Sequence, residues 1–358
     1  MGRQLVKTDG NNTKQKRNMK RGINIALATV MLVAGSTFFA SCGDKKKTET
    51  KENTEEVVMA GPQFNQDSAY VYCKAQCDFG PRPMNTPAHE ACGEWIAKKF
   101  ESFGCNVIKQ KATLKAYDGT QLKATNIIAE YNPQAKNRIM FCAHWDSRPW
   151  ADNDPDENNH KTPIIAANDG ASGIAVMLEL ARSISQHKGL ADDFGVDFIC
   201  FDAEDWGTPQ WAEEEYEGDN NDWALGSQYW SKNLHKEGYK SSFGILLDMV
   251  GGMGAKFYRE GVSEEFAPHV TDRVWKAAKE IGYGSIFVNQ VGGMVTDDHY
   301  PVNTIAKIPT TDVIAFHPDC TQSSFGPTWH TVNDNMDNID KNTLKAVGQT
   351  MIQVIYTK

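Results

Sequence analysis

Two hydrophobic rhythms share this chain. Residues 106–117, 124–131 and 138–143 are short β-prone runs separated by Asp118-Gly119 and Asn132-Pro133, whose turn chemistry ends a strand. Their short connections predict antiparallel neighbours at one side of a sheet. Residues 196–201, 243–247, 285–288 and 312–316 predict further strands. The other rhythm is helical. Thr86 and Pro87 offer a cap and then a proline at the first helical position, and Gly104 a stop. Between them Ala88, Ala91, Trp95, Ile96 and Phe103 form one apolar face. Helices are also predicted over 173–184, 226–234, 264–281 and 341–356. A helix between two strands makes a parallel crossover. The pattern therefore predicts an α/β fold, with a central, twisted, mixed but mostly parallel sheet covered by helices on both faces. Neither an internal repeat nor a second core divides it, so one domain is predicted over 61–358.

The start of the chain reads differently. Residues 1–21 hold seven Lys or Arg and one Asp, and residues 22–41 hold no charge. That is a signal-peptide pattern over 1–41, with Met1 or Met19 as its start. It ends in Phe39-Ala40-Ser41-Cys42, which resembles the lipobox of a bacterial lipoprotein with Cys42 lipidated. The polar stretch 42–60 then reads as a flexible tether. The expected location is the bacterial envelope, lipid-anchored and facing the periplasm.

Charge and cysteines narrow the function further. Without residues 1–41, 30 of the 37 basic and 45 of the 46 acidic residues remain, a balance of −15. So acidic a domain argues against nucleic acid as a partner. Of eight cysteines, seven follow Cys42. Their spacings suit buried thiols better than disulfides, and no Cys-x-x-Cys marks a structural zinc.

Candidate chemistry gathers at predicted strand ends. The strand 196–201 runs into Asp202-Ala203-Glu204-Asp205, and side chains alternate there, so Glu204 and Asp205 take different roles. One suits a metal and the other a substrate proton. His144-x-Asp146, Asp169, Asp248 and His330 also follow strands or open the loop beyond one. His with carboxylates is a ligand set for catalytic zinc, and Asp146 could orient the His144 ring. The insertion 206–222 is long and aromatic, as functional loops are.

Together, His-x-Asp, Asn168-Asp169-Gly170-Ala171-Ser172-Gly173, the acidic pair, the strand-terminal Asp248 and His330-Thr331 resemble the co-catalytic zinc aminopeptidase superfamily. The resemblance is closest to its glutaminyl cyclases and covers roughly 60–358. It implies one zinc on Asp169, Asp205 and His330, with Glu204 as general acid/base. Asp248 and Asp297 would hydrogen-bond behind that base. Trp206, Trp211, Phe325 and Trp329 would bind substrate, a peptide or protein with an N-terminal Gln, and a monomer is expected. In a two-zinc aminopeptidase the same residues serve differently, with His144 and Asp248 carrying a second ion and Asp169 bridging. A peptide-binding module that has lost its chemistry is the third reading.

Asp297-Asp298-His299 replaces the Ser-Asp-His pattern of the aminopeptidases, and this favours the cyclase. The chain also departs from the animal cyclases. Asp205 stands where they carry Glu, Asp312 where they carry His, and Cys142 lacks the partner of their disulfide.

Overall fold

The computed structural model describes residues 59–213 and 222–357. The expected signal segment 1–41, the lipidated Cys42 and all but the last two residues of the tether lie outside the described residues. So do Glu214 and Glu215 of the aromatic insertion. In chain order the elements are α1 (Gln66–Cys77), α2 (Pro87–Ser102), β1 (Asn106–Lys115), β2 (Gln121–Tyr131), β3 (Asn137–His144), α3 (Ala171–Gln186), β4 (Phe194–Phe201) and α4 (Leu225–Lys232). There follow β5 (Gly244–Asp248), β6 (Phe257–Arg259), α5 (Gly261–Phe266), α6 (Pro268–Glu280), β7 (Phe287–Val291), α7 (His299–Pro301), β8 (Thr310–Ile314) and α8 (Lys341–Tyr356).

The main sheet has the order β1-β2-β4-β3-β5-β8. Strands β3, β4, β5 and β8 run parallel, while β2 lies antiparallel to both β1 and β4. The mixed, mostly parallel sheet is as expected, but β3 is not the neighbour of β2. Strand β4 lies between them, paired with β3 along its whole length from Asn137↔Phe194 to His144↔Phe201. The short 132–136 connection misled because Asn132 bonds elsewhere. Its side-chain amide donates to the carbonyls of Asp192 (2.8 Å) and Phe194 (3.0 Å), tying the end of β2 to the start of β4.

Two other expectations are corrected. The 285–288 run belongs to β7, which pairs with β6 in a separate two-stranded sheet. The 264–281 helix is two helices, α5 and α6, broken at Ala267 with Pro268 opening the second. Proline has no N–H to continue the ladder and excludes the preceding residue from helical geometry.

Both faces of the sheet are buried, and alternation along the strands assigns the side chains. Phe141, Ala143, Phe198, Cys200, Ile245 and Leu247 face the large core beneath α1, α2, α3, α6 and α8. Met140, Cys142, Ile199, Phe201 and Leu246 face the other way, under Trp230 of α4, Tyr239, Val302 and Ile308. Six of the seven cysteines after Cys42 are buried free thiols, and Cys320 is half-buried. From β3 the sheet is extended on one side by β4 and on the other by β5. The crevice at the carboxyl ends of strands at such a reversal is where open α/β sheets hold ligands.

Candidate active site

Backbone strain marks that crevice. Strand β3 ends in His144 and β5 in Asp248, while β4 ends one residue before Asp202. Ala203 (φ 53°), Met249 (φ 54°) and His330 (φ 53°) are left-handed there, and Ala166 (φ 55°) is left-handed in the loop before α3. Each such conformation costs a non-glycine residue of order 1–3 kcal/mol, and strain of this kind collects at functional sites. The turn at Ala203 aims Glu204 and Asp205 over the sheet.

The Asn-Asp-Gly-Ala-Ser-Gly run joins two of these strand ends. A Cβ on Gly170 (φ 110°) would meet the Asp146 carbonyl at 2.7 Å, and one on Gly173 would meet the Leu247 carbonyl at 2.1 Å. The two glycines let α3 start hard against the ends of β3 and β5. Asn168 Oδ1 accepts the Gly251 N–H (2.9 Å), and Ser172 Oγ accepts that of Val250 (3.0 Å). Asp169 and Asp248 are thereby held in fixed relation.

Two overlapping clusters result, both buried. In one, His144 Nε2 lies 2.9 Å from Asp169 Oδ1 and 3.2 Å from Asp248 Oδ1. In the other, His330 Nε2 lies 3.5 Å from Asp169 Oδ2 and 3.2 Å from Asp205 Oδ1. Each offers three ligand atoms within 4.8 Å of one another. The second fits a divalent ion well. His330 Nε2 and both Asp205 carboxylate oxygens are buried with no hydrogen-bond partner among the described residues. Burial, and then the Asp169 charge, push the Asp205 carboxyl up against the pull of His330 and Arg148. One imidazole and two carboxylates around an open position is a catalytic zinc set. The first cluster is more nearly self-sufficient. Burial would lower the pKa of His144, but Asp146, Asp169 and Asp248 hold it well above the ordinary value.

Asp146 lies 3.6 Å from His144 Nδ1, but its hydrogen bonds go to the backbone N–H groups of Glu204 (3.1 Å) and Asp205 (3.2 Å). The sequence reading missed four residues here. Asp334 accepts the N–H groups of Asn168 (2.7 Å) and Asp169 (3.0 Å). Arg148, buried, pairs with both oxygens of Asp152 (2.5 and 2.6 Å) and donates to the Asp205 carbonyl (3.1 Å). Asp152 stands 3.5 Å from His330 Nδ1, and Trp223 stacks on the His330 ring (6.0 Å, 8°). Burial opposes the Asp152 charge, yet Arg148 and then His330 hold its carboxyl well below the usual range. The i, i+4 pair Arg148/Asp152 and an Asp four residues after His330 were visible signals; their targets were not.

Glu204 is buried, 4.0 Å from His144 Nδ1. Asp297 and Asp298 are buried as neighbours, and burial, followed by the Asp297 charge, pushes the Asp298 carboxyl well up. Asp312 is also buried, 3.9 Å from His299 Nδ1. Trp329 covers His330 at 3.7 Å between ring centres, and Phe325 packs on Trp329 at 5.0 Å. Trp206 and the exposed Trp211 gather around Trp150 (5.6 and 5.7 Å), over which the Arg148 guanidinium lies.

Comparison with known proteins agrees with this geometry. A family model for Peptidase family M28 matches residues 126–355. The structure superposes on a Bacteroides thetaiotaomicron glutaminyl cyclase bound to N-acetylhistamine, with TM-score 0.79 and 56% identity, covering 83% of this chain and 99% of that one. It superposes equally on a leucine aminopeptidase precursor from the same species, with TM-score 0.78 and 55% identity, covering 84% and 100%. Against curated relatives the chain spans about half the length of aminopeptidase YwaD of Bacillus subtilis (28% identity; 69% of this chain, 48% of that protein). It spans 64% of a bovine glutaminyl-peptide cyclotransferase (24% identity; 63% of this chain). Fold, strand-end acids and family match together lead to one conclusion: the chain belongs to Peptidase family M28.

Proposed function

We propose that this protein is a zinc-dependent glutaminyl cyclase, which closes the N-terminal glutaminyl residue of peptides to pyroglutamate and releases ammonia. The observation that carries this reading is the aromatic cover of the metal-binding cluster, with Trp329 on His330 and Phe325 behind it. Such a wall suits one flat, neutral amide and excludes the water that would hydrolyse it. The likeness to the Bacteroides thetaiotaomicron cyclase supports the same reading.

One zinc per chain is held by Asp169, Asp205 and His330. When bound, it supplies Lewis-acid polarisation of the γ-carbonyl. The nucleophile is the substrate's own α-amine, so the nitrogen–Cδ bond forms as the Cδ–Nε bond breaks. Glu204 takes the proton from the attacking amine and delivers it to the departing nitrogen, which leaves as ammonia. Asp248 and Asp297 share a proton behind Glu204 and keep it oriented. Asp146 fixes the backbone from which Glu204 projects. Trp206, Trp211, Phe325 and Trp329 bound the substrate's approach.

A second reading rests on the cluster of His144, Asp169 and Asp248, whose ligand atoms could hold a second ion as in a two-zinc aminopeptidase. The two are separated by ammonia release from a Gln-initiated peptide, set against amine release from a Leu-anilide, with zinc counted per chain. Ammonia release with one zinc supports the cyclase. Anilide cleavage with two zinc ions would replace it.

We also propose that lipid at Cys42 anchors the domain at the periplasmic face of the envelope. Cys42→Ala should give soluble or unprocessed protein. An unchanged mature mass when lipoprotein signal processing is inhibited would remove the anchor.

A further inference from the structure

Glu260 is a buried acid that the reaction above does not use. It caps α5, accepting the N–H groups of Val262 (2.8 Å) and Ser263 (2.7 Å) and the Ser263 hydroxyl (2.8 Å). A cap needs no more than this, and Asp, Asn, Ser or Thr serve it with a shorter side chain. The extra methylene of Glu carries the carboxylate further. Oε1 also accepts the Val295 N–H (2.8 Å), and Oε2 lies 3.0 Å from His299 Nε2. Burial opposes the charge, but His299 and the backbone N–H groups hold the carboxyl below its usual range. It is therefore ionised and acceptor-only, so the His299 Nε2–H donates.

Val295 and His299 stand on either side of Asp297-Asp298. Just before Val295, the Gly261 N–H at the head of α5 also donates to the Gly293 carbonyl (2.9 Å). Beyond His299, the Tyr300 N–H turns back to the Asp297 carbonyl (2.8 Å). On the far side, the Asn303 amide holds the His299 carbonyl (3.0 Å). The same device reaches β8, where the Asp312 N–H donates to Ser263 Oγ (2.9 Å).

We infer that Glu260 is a positioning residue whose carboxylate grips both flanks of the Asp297-Asp298 segment and so sets where the Asp297 carboxyl stands. This rests on the cyclase reading, in which Asp297 backs Glu204. It explains why a glutamate stands at the head of α5, and it gives the Asp312 strand a structural link to the same acid.

The test compares variants of the full chain loaded with zinc, measuring kcat per bound zinc, KM for a Gln-initiated peptide, and Tm. Glu260→Asp keeps a capping carboxylate but falls short of Val295 and His299. It should hold Tm near the parent value while kcat falls about 10- to 100-fold, the scale of a misplaced catalytic group, with KM little changed. His299→Leu should lose kcat in the same way. His299→Gln, whose amide can donate to Glu260, should recover most of it. If Glu260→Asp kept full kcat, or if His299→Gln were no better than His299→Leu, the inference would be overturned. Should Glu260→Asp not fold, the two His299 variants decide alone. A parent chain that does not cyclise Gln peptides overturns the functional reading, and this inference with it.

Discussion

The Asp334 carboxylate holds the backbone of Asp169, its Oδ2 accepting the Asp169 N–H at 3.0 Å while Oδ1 accepts that of Asn168. Asp146 does the same for Glu204 and Asp205. These two acidic segments of the site are thus each fixed by a second buried acid. A carboxylate can receive two converging N–H groups, whereas an amide would turn a donor toward one of them. The arrangement places like charges close together. Burial, and then the Asp169 charge, push the Asp334 carboxyl up to about 7.

The sign of the resulting pH dependence follows from proton counts. Between its ordinary value of 3.8 and about 7, Asp334 is protonated in the folded chain and ionised in the unfolded one. The folded state binds the extra proton, so this contribution to stability is lost as pH rises from about 4 through about 7. Asp334→Asn cannot ionise. In metal-free protein, the Tm of the parent should fall more steeply than that of the variant across this interval. Parallel curves would show that Asp334 does not titrate there.

Zinc binding should depend on Asp169, Asp205 and His330 and far less on His144. His330→Ala should weaken zinc by more than the roughly 10- to 100-fold typical of losing a residue that only supports a ligand. His144→Ala should stay within that range. Competition with a chelator measures both, and equal losses would favour the two-zinc arrangement.

Glu204→Gln should keep the metal and the fold and lose about 10²–10⁴ in turnover, the usual scale for a positioned acid/base. Its backbone N–H still reaches Asp146, so Tm should hardly move. Near-parental turnover would place the proton carrier elsewhere.

Asp297→Asn separates a proton-sharing role from a turn-capping one. It keeps size and hydrogen-bonding capacity but removes one charge from a buried pair in which Asp298 is already pushed well up. Turnover should fall with KM little changed, as expected for a loss confined to the transition state. Unchanged cyclisation would remove a principal reason for preferring the cyclase to the peptidase.

Gly173→Ala tests the packing that joins Asp169 to Asp248. The added Cβ would lie 2.1 Å from the Leu247 carbonyl, a main-chain atom that cannot rotate away. Overpacking of this kind costs about 1–3 kcal/mol or more. A lower Tm and weaker zinc binding should appear together, because Asp169 lies just before α3 and Asp248 ends β5.

Much of the molecule was legible in the chain itself. The helix from Pro87, the buried strand before Glu204 and the closing helix α8 follow from local rules of capping, burial and periodicity. The strand order did not follow. A short connection favours a hairpin, but here Asn132 spends its side chain on the start of β4, and a full-length parallel pairing separates β2 from β3. The break at Pro268 was visible in principle and was outweighed by an unbroken amphipathic pattern.

The sequence by itself determined the α/β class and the acids and histidines that follow its strands or open the loops beyond them. These are local properties, because a residue's place on its own strand or turn depends on near neighbours. Only the tertiary structure decided how those groups divide. It set Asp169 between His144 and His330, turned Asp146 to the backbone of Glu204 and Asp205, folded Arg148 and Asp152 of the loop after β3 back onto the site, and brought Trp223 and Asp334 to it from distant loops. A buried charge must find its partner in space, and spatial neighbours at the end of a parallel sheet are set by crossovers whose order no local pattern encodes.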